Sequence, residues 1–464
     1  MTSQFTTENL PRLTEKQAAE IYRQGEEAVV WALLQLGAMA RNTSQPDPAT
    51  PSAMVAPYAK ANSKRKRKRR PGRKAGHEGR RREAPTRIDQ RVSHSLDVCP
   101  DCGGRVTTPR AKRTRVVEDI HETQAVTTEH TIASHYCPRC KRRVEPKVAD
   151  AMPNASIGNR TVALTSWLHY GLGNTVSQVR QVLNSLFQLP VSDGGLTQMW
   201  ARAAKALEPW YAQIADEARA GAVLHADETG WRVNGRTHWL WCFTHPTLTY
   251  YVIDPSRGGK VLLEFFGQHF AGTLISDFFS AYNCVEANRR QTCLVHLLRE
   301  LKKVSQRNES DEWIVFAATL ERLIADALRL GARQNRAAKD YQSKRGRIAK
   351  RLDDLCEGIY EDPDFARIAK RLRKYRSALL TFLDEPDVPA DNNRAEREIR
   401  PAVIARKNSY HNMSDRGART QSILMSVYRT LKLRRHDPIE TIAQALAAHS
   451  MGKPIPPLPA PRAP

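Results

Sequence analysis

A chain of 464 residues with 41% hydrophobic content is long enough for two to four domains and apolar enough to bury folded cores. Its formal net charge of +24, from 73 Lys and Arg against 49 Asp and Glu, is more than an enzyme of small molecules needs. An excess of this size points to a polyanion, nucleic acid first, because each phosphate met by Lys or Arg releases counterions. The start of the chain lacks a charged segment followed by an apolar core. The apolar run at 29–40 is too short for a bilayer and contains Gln35, so the sequence reads as soluble, intracellular (cytoplasmic) and without a membrane partner.

In chain order, residues 1–41 read as an N-terminal helix. Thr14-Glu-Lys-Gln17 has the form of a capping box, and Ile21, Ala28, Val29, Ala32 and Leu36 recur at helical spacing. That stripe either pairs with another helix in oligomerisation or packs on its own domain; the heptads are too few to decide. Residues 42–92 form a Ser/Pro/Ala-rich linker followed by a basic arm. Lys64, Arg65, Lys66, Arg67, Lys68, Arg69 and Arg70 run together, with Arg73 and Lys74 close behind. Between Lys60 and Arg91, fifteen Lys and Arg face three acids. Charge at this density is expected to stay disordered until a polyanion neutralises it. Such an arm clamps a DNA backbone with affinity but little sequence information; a solvated tail is the alternative.

The eight cysteines fall into two sets. Cys99, Cys102, Cys137 and Cys140 form two CxxC pairs within 93–150, whereas Cys242, Cys284, Cys293 and Cys356 are scattered. In an intracellular chain, paired CxxC units favour metal over disulfides, and four thiolates suit one structural Zn²⁺ in a small ribbon. Arg115–Tyr136 alternates β-branched and polar residues, which predicts an antiparallel hairpin that brings the two knuckles together. Residues 151–220 read as a helical connector or DNA-binding region, with Trp167, Trp200 and Trp210 as core.

The chemistry is expected in 221–300 and 388–412. Ala222–Asp227 reads as a strand that ends in a carboxylate, followed by strands at Thr237–His245 and Thr249–Asp254, a helix at 258–268, a strand at Gly272–Asp277, a helix, and a strand at Gln291–His296. This is the element order of an RNase H-like mixed sheet, in which the ends of the first and fourth strands lie side by side, so Asp227 and Asp277 converge. Residues 301–387 read as a large all-α insertion, with Leu320, Leu323, Ile324, Ala327, Leu328, Ile348, Leu352, Leu355 and Ile359 at helical spacing. After it, Asp391 or Asn392 caps a helix whose second turn carries Glu396; Glu398 lies on another face. Residues 413–464 read as a C-terminal helical region with a Pro-rich tail. The fold class is therefore α/β: an RNase H-like core with a helical insertion, a zinc ribbon and an N-terminal helix.

Together these residues resemble a transposase of the IS66 family with a DDE catalytic core. The resemblance rests on the basic segment Arg69–Gly79, the paired CxxC ribbon, His225-Ala-Asp-Glu-Thr229, Ser276-Asp277 through Tyr282, Cys293-Leu-Val-His296 and Asn392-Asn-Arg-Ala-Glu-Arg397. It implies Asp227, Asp277 and Glu396 as the catalytic triad, DNA as substrate at element ends and target, self-association on DNA because two ends must be joined, and accessory proteins of the same element as further partners.

An all-carboxylate site suits two Mg²⁺ (or Mn²⁺) ions, which stabilise charge on both the attacking and the leaving oxygen of a phosphodiester. By the resemblance, Asp227 bridges both ions while Asp277 and Glu396 hold one each. Hydrolysis would free 3′-OH groups, which then attack target DNA at the same site. Arg397 and Arg400, with Arg394, Arg406 and Lys407, either hold scissile-strand phosphates or form a solvated helix face. Trp231 and His238 either stack on a base or, for Trp231 above all, pack in the core. Glu228 replaces Asp227 as ligand if the strand register slips by one. Cys293 and His296 carry no assigned role. Two other functions fit the same sequence: an inactive or domesticated DNA-binding relative, and a structure-specific nuclease on the same core.

Overall fold

The computed structural model describes residues 85–108, 113–120, 123–358, 360–409 and 411–463, together with scattered residues between 19 and 34. The capping box at Thr14 and the basic arm, Lys64–Arg70 with Arg73 and Lys74, lie outside the described residues. Ile21 and Ala32 are buried in a helical segment, consistent with an apolar stripe there.

The chain forms two compact units, residues 60–123 and the remainder. The smaller unit holds the first CxxC pair in a tight turn. The Cys99 N–H donates to Gly104 O (2.7 Å), and the Gly103 N–H donates to Cys99 O (2.9 Å). Gly103 has φ +70°, a conformation that glycine adopts without penalty.

In the larger unit, β1 (His135–Cys137) and β2 (Arg142–Val144) form a short antiparallel pair around the second CxxC turn. The longer hairpin expected over Arg115–Tyr136 does not form. Among the described residues of that stretch only His135 and Tyr136 are in a strand, and those from Arg113 to Tyr136 are exposed. Alternation is a strand signal only when one face finds a core to cover it, and this stretch has none.

Helices α1 (Asn159–Ser166), α2 (Val176–Phe187), α3 (Asp193–Ala206) and α4 (Glu208–Arg219) build the layer ahead of the sheet. Thr175 and Gln178 close a reciprocal capping box on α2, and Ser192 caps α3. Trp200 and Trp210 are buried as expected; Trp167 is half-buried.

A five-stranded mixed sheet is the centre of the unit, in the spatial order β5-β4-β3-β6-β7. Its strands are β3 (Val223–Val233), β4 (Arg236–His245), β5 (Leu248–Asp254), β6 (His269–Ser276) and β7 (Glu286–Thr292). The first three form an antiparallel meander. β6 then pairs parallel to β3, and β7 parallel to β6. β3 and β4 meet through Asn234 and Gly235, both at positive φ (47° and 72°), as a two-residue turn that matches the strand twist requires. Helix α5 (Gly259–Phe266) lays Val261, Leu262, Phe265 and Phe266 into the core.

Within the sheet, the structure corrects three further expectations. The first strand does not end at Asp227: β3 runs on to Val233 because Glu228–Val233 pairs with β4 throughout. Between β6 and β7 there is a single 3-10 turn, Ser280–Cys284, instead of a helix. The last strand stops at Thr292, and Cys293-Leu-Val-His296 opens helix α6 (Leu294–Val304). Leu294, Leu297, Leu301 and Val304 are buried at helical spacing; a short apolar run is ambiguous until its continuation is counted.

The insertion comprises α7 (Asp311–Gly331), α8 (Lys339–Glu357), α9 (Pro363–Lys374) and α10 (Thr381–Asp384). With α6 they enclose a second apolar core that includes Leu320, Leu323, Ile324, Ala327, Ile348 and Leu352. Leu328, expected in that stripe, is exposed, and Ile359 lies outside the described residues. The insertion leaves and re-enters the core at one neck, where the Leu294 N–H donates to Ala390 O (3.0 Å). Helix α11 (Asn393–Ser409) then crosses β3 and β4, followed by α12 (Asp415–Leu433) and α13 (Pro438–Ser450). α12 covers the open edge of β5: Ser426 Oγ accepts from the Tyr251 N–H (2.8 Å) and Thr430 Oγ1 from the Thr249 N–H (3.2 Å). An edge strand's unpaired N–H groups are thereby satisfied by side chains.

Candidate active site

The sheet register brings the two aspartates together. In the parallel pair, Val223 faces Thr273, Leu224 faces Leu274 and His225 faces Ile275. Carrying that register two residues further sets Asp227 opposite Asp277, on one face, where β6 has ended and the strands separate. Asp227 Oδ1 accepts from the Glu228 N–H (2.9 Å), and Asp277 Oδ1 from the Phe279 N–H (2.8 Å).

Glu396 is carried by α11, whose start Asn392 fastens to β3. The buried Asn392 side chain donates from Nδ2 to Ala226 O (2.8 Å), and its Oδ1 lies 3.0 Å from His225 Nδ1. Since Oδ1 is an acceptor, His225 carries its proton on Nδ1 in this arrangement. The Asn392 N–H donates to Cys293 Sγ (3.2 Å), and Asn392 O accepts from the Glu396 N–H (3.1 Å) in the first turn of α11. The capping side chain at this helix start is Asp391, whose Oδ1 accepts from the Asn393 N–H (2.9 Å). One residue thus ties the strand of Asp227, the start of α6 and the helix of Glu396 together.

Electrostatics agrees with the convergence. Burial, then the charge of Glu228, then that of Asp277, push the Asp227 carboxyl well above the usual carboxylate range, and Glu396 adds to the push. The donor set is all oxygen and mutually repulsive, the composition that hard divalent cations bind. Among the described residues, no three His, Cys, Asp or Glu side chains close to within the reach of one ion. Glu396 is turned instead to Arg299, whose Nη1 and Nη2 donate to it at 3.1 and 3.4 Å, with His296 Nε2 at 3.7 Å.

The neighbouring acids are engaged elsewhere. Glu228 is buried, accepts from Tyr282 Oη (2.7 Å) and pairs with Arg257 Nη2 (2.9 Å). The Arg257 guanidinium lies between the rings of Trp239 (4.4 Å) and Phe279 (4.1 Å). Burial and the charge of Asp277 raise the Glu228 pKa, against the pull of Tyr282 and Arg257. Glu398 is buried beside Arg429, which binds both its oxygens, and Thr249 Oγ1 donates to it (3.4 Å).

Of the cations expected near the triad, Arg397, Arg400 and Lys407 are exposed, Arg394 is half-buried, and Arg406 is turned to Thr229 Oγ1 (3.3 Å) and Gly230 O. Trp231 is buried and donates to Asn412 Oδ1 (2.8 Å), which makes it a core residue. His238 Nδ1 lies 3.2 Å from Arg236 O. The CxxC pairs fall one in each compact unit. The Asp101 and Cys102 amides pull the Cys99 thiol down, and the Cys140 amide does the same to Cys137.

The family model described as "Transposase IS66 family" matches residues 154–420, more than half of the chain. The chain belongs to the IS66 transposase family. Two curated relatives, both from Sinorhizobium fredii (strain NBRC 101917 / NGR234), are similar over part of their length. Uncharacterized protein y4qI is 28% identical over 275 residues, covering 52% of this chain and 50% of the relative. Uncharacterized protein y4jD is 24% identical over 224 residues, covering 44% and 43%. The chain thus spans about half the length, or less, of the curated relatives it matches.

Within this IS66-family chain, sequence reasoning missed Arg257 and Arg299 and gave Asn392 only a capping role. Arg299 had a signal. Once Cys293 is taken as the residue before a helix, Arg299 falls one turn beyond His296 on the same face. Arg257, in a loop after β5, had none.

Proposed function

We propose that this chain is a DDE transposase. It binds element ends and target DNA and carries out cleavage and strand transfer at Asp227, Asp277 and Glu396. The observation that carries the reading is the shared register of Asp227 and Asp277 in the parallel strands β3 and β6, with Glu396 on a helix that Asn392 fastens to β3. A mixed sheet of this strand order, three antiparallel and two parallel, supports an RNase H-like core.

Asp227, Asp277 and Glu396 would hold the divalent cations. Such ions, when bound, supply charge stabilisation on the attacking and leaving oxygens of the phosphodiester. The chain's own residues fix the geometry. Asn392 sets the helix against the strand, and the Phe279 amide orients Asp277. Arg257 withdraws Glu228 from competition. Arg397 and Arg400 are exposed cations beside the site that can hold phosphates. Each of the Cys99–Cys102 and Cys137–Cys140 turns offers two sulfur donors of the kind structural zinc takes. Metal analysis of the purified protein should find about one zinc per chain, and a metal-free protein would remove the ribbon. Self-association on DNA, accessory proteins and a cytoplasmic location follow from the same reading; among the described residues no helix is long and apolar enough to cross a membrane.

The test is incubation with end-containing DNA and Mg²⁺, scored for strand-transfer products. Wild type should give joined products, and Asp227→Ala, Asp277→Ala and Glu396→Ala should give none while still binding DNA. Nicking without joining would make the protein a nuclease on the same core; binding without cutting would make it an inactive relative.

A further inference from the structure

Helix α9 has an unusual division of charge. Its buried side carries Phe365, Ile368, Ala369 and Leu372. Its other side carries Arg367, Lys370, Arg371, Arg373 and Lys374 against a single acid, Asp364. Two of these cations are neutralised inside the fold: Arg367 and Arg371 both bind Glu300 of α6. Lys370, Arg373 and Lys374 are exposed and, among the described residues, have no acidic partner within ion-pair distance. They stand three and four residues apart, so they share one face at the C-terminal end of the helix.

That end of α9 adjoins the candidate active site. Tyr375, the next residue, packs edge-on against Phe278 (5.3 Å between ring centroids) and donates from Oη to Phe278 O (3.2 Å). Asn283 Nδ2 donates to the Tyr375 hydroxyl (3.3 Å), and the Arg371 guanidinium lies 5.5 Å from the Phe278 ring. Phe278 immediately follows Asp277. A cationic ledge on the insertion is therefore fastened, through Tyr375, to the residue that follows Asp277. Lys374 Nζ lies 5.4 Å from the Tyr375 ring, and last-turn cations suit the helix C-terminus, but none of the three meets an acid among the described residues, so they repel one another and leave room for an external anion.

We propose that Lys370, Arg373 and Lys374 form a phosphate-binding ledge for the DNA backbone that passes the Asp277 side of the active site. The helical insertion is then part of the DNA-binding surface. The proposal rests on the reading of this chain as a DNA-processing enzyme. The partner follows from charge: a continuous polyanion meets three cations on one face, where an isolated acidic side chain meets one.

The experiment measures binding of the full chain to a labelled duplex of arbitrary sequence across a salt series, without divalent metal. Each phosphate contact contributes a slope of roughly −0.9 in log K against log salt. Lys370→Ala/Arg373→Ala/Lys374→Ala should make the slope shallower by about 2–3 units. Arg322→Ala, an exposed cation on α7, should leave it unchanged. Unaltered circular dichroism and urea midpoint establish that the triple variant is folded. If the folded variant keeps the wild-type slope, the ledge is not a DNA contact and the proposal falls alone. If wild type shows no salt-dependent DNA binding, the transposase reading falls with it.

Discussion

Asn392 and His225 meet through one side-chain hydrogen bond of 3.0 Å, buried between the strand of Asp227 and the helix of Glu396. The same amide holds Ala226 O, so Asn392→Ala leaves two buried groups without partners. The expected loss is about 1–3 kcal/mol per orphaned group, read as a lower urea midpoint. Cleavage should fall further than stability alone explains, because Glu396 loses its fixed relation to Asp227. Asn392→Asp keeps an acceptor for His225 but no donor for Ala226 O, and should lie between the two. An Asn392→Ala protein that is folded and cuts at the wild-type rate would refute this role.

Glu228 offers a test of which adjacent acid serves the metal. Its partners are Arg257 and Tyr282, so Glu228→Ala leaves a cation nearly enclosed by Trp239 and Phe279. Breaking such a pair typically costs roughly 3–5 kcal/mol. Glu228→Gln should lower stability less and leave the Mg²⁺ dependence of cleavage unchanged, whereas Asp227→Asn should abolish cleavage. A Mg²⁺ titration in which Glu228→Gln shifts the midpoint more than tenfold would exchange the roles of the two residues.

Arg299 competes with any cation for Glu396. The pair is half in solvent, with the arginine side chain 51% and the glutamate 21% exposed, and pairs of this kind are worth about 0.2–1 kcal/mol. Arg299→Ala should therefore reduce the Mg²⁺ concentration for half-maximal cleavage by at most about fivefold, as 1.4 kcal/mol is tenfold. A higher requirement would show that Arg299 assists the bound state.

The insertion has its own titratable brace. Asp362 precedes α9 and accepts from Ser310 Oγ (2.6 Å), Asn308 Nδ2 (2.9 Å) and the Asp364 and Phe365 amides (2.9 and 3.0 Å). Burial disfavours its charge, but these donors outweigh burial and pull its pKa down from 3.8 to about 2. A depressed carboxylate adds stability above its unfolded pKa and loses it as pH falls through the folded one. The contribution should be complete above pH 4 and vanish between about pH 4 and 2. Asp362→Ala should cost about 1 kcal/mol at pH 7 and progressively less below pH 4 in urea unfolding.

The sequence made four of the five strands legible because they contain apolar runs; β7, Glu286–Thr292, is polar and offered no such signal. The sequence made the insertion legible because Leu320–Ala327 and Ile348–Leu352 recur at 3.6 residues. It misled where a short apolar run lacked context. Gln291–His296 reads equally as strand or helix, and only Leu297, Leu301 and Val304 decide it. It also misled at Arg115–Tyr136, where alternation stood without a core to face. The acids were found as isolated letters, but the Asn392 staple was not. A buried amide bridging two backbones leaves no period in a sequence.

The neck at Leu294 and Ala390 has an architectural consequence. The excursion begins and ends at neighbouring backbone atoms, yet it also grips the sheet between those ends: Thr381 Oγ1 donates to Arg290 O, the Phe382 N–H to Gln291 Oε1 (2.9 Å) and Tyr375 Oη to Phe278 O (3.2 Å). Changing the length of the insertion outside these contacts alters loop-closure entropy only logarithmically. The interval between Asp277 and Glu396 along the chain is therefore free to vary only in segments that make none of these contacts. Replacing 297–387 by a short linker should remove them, bare Ile275 and lower the urea midpoint of the sheet.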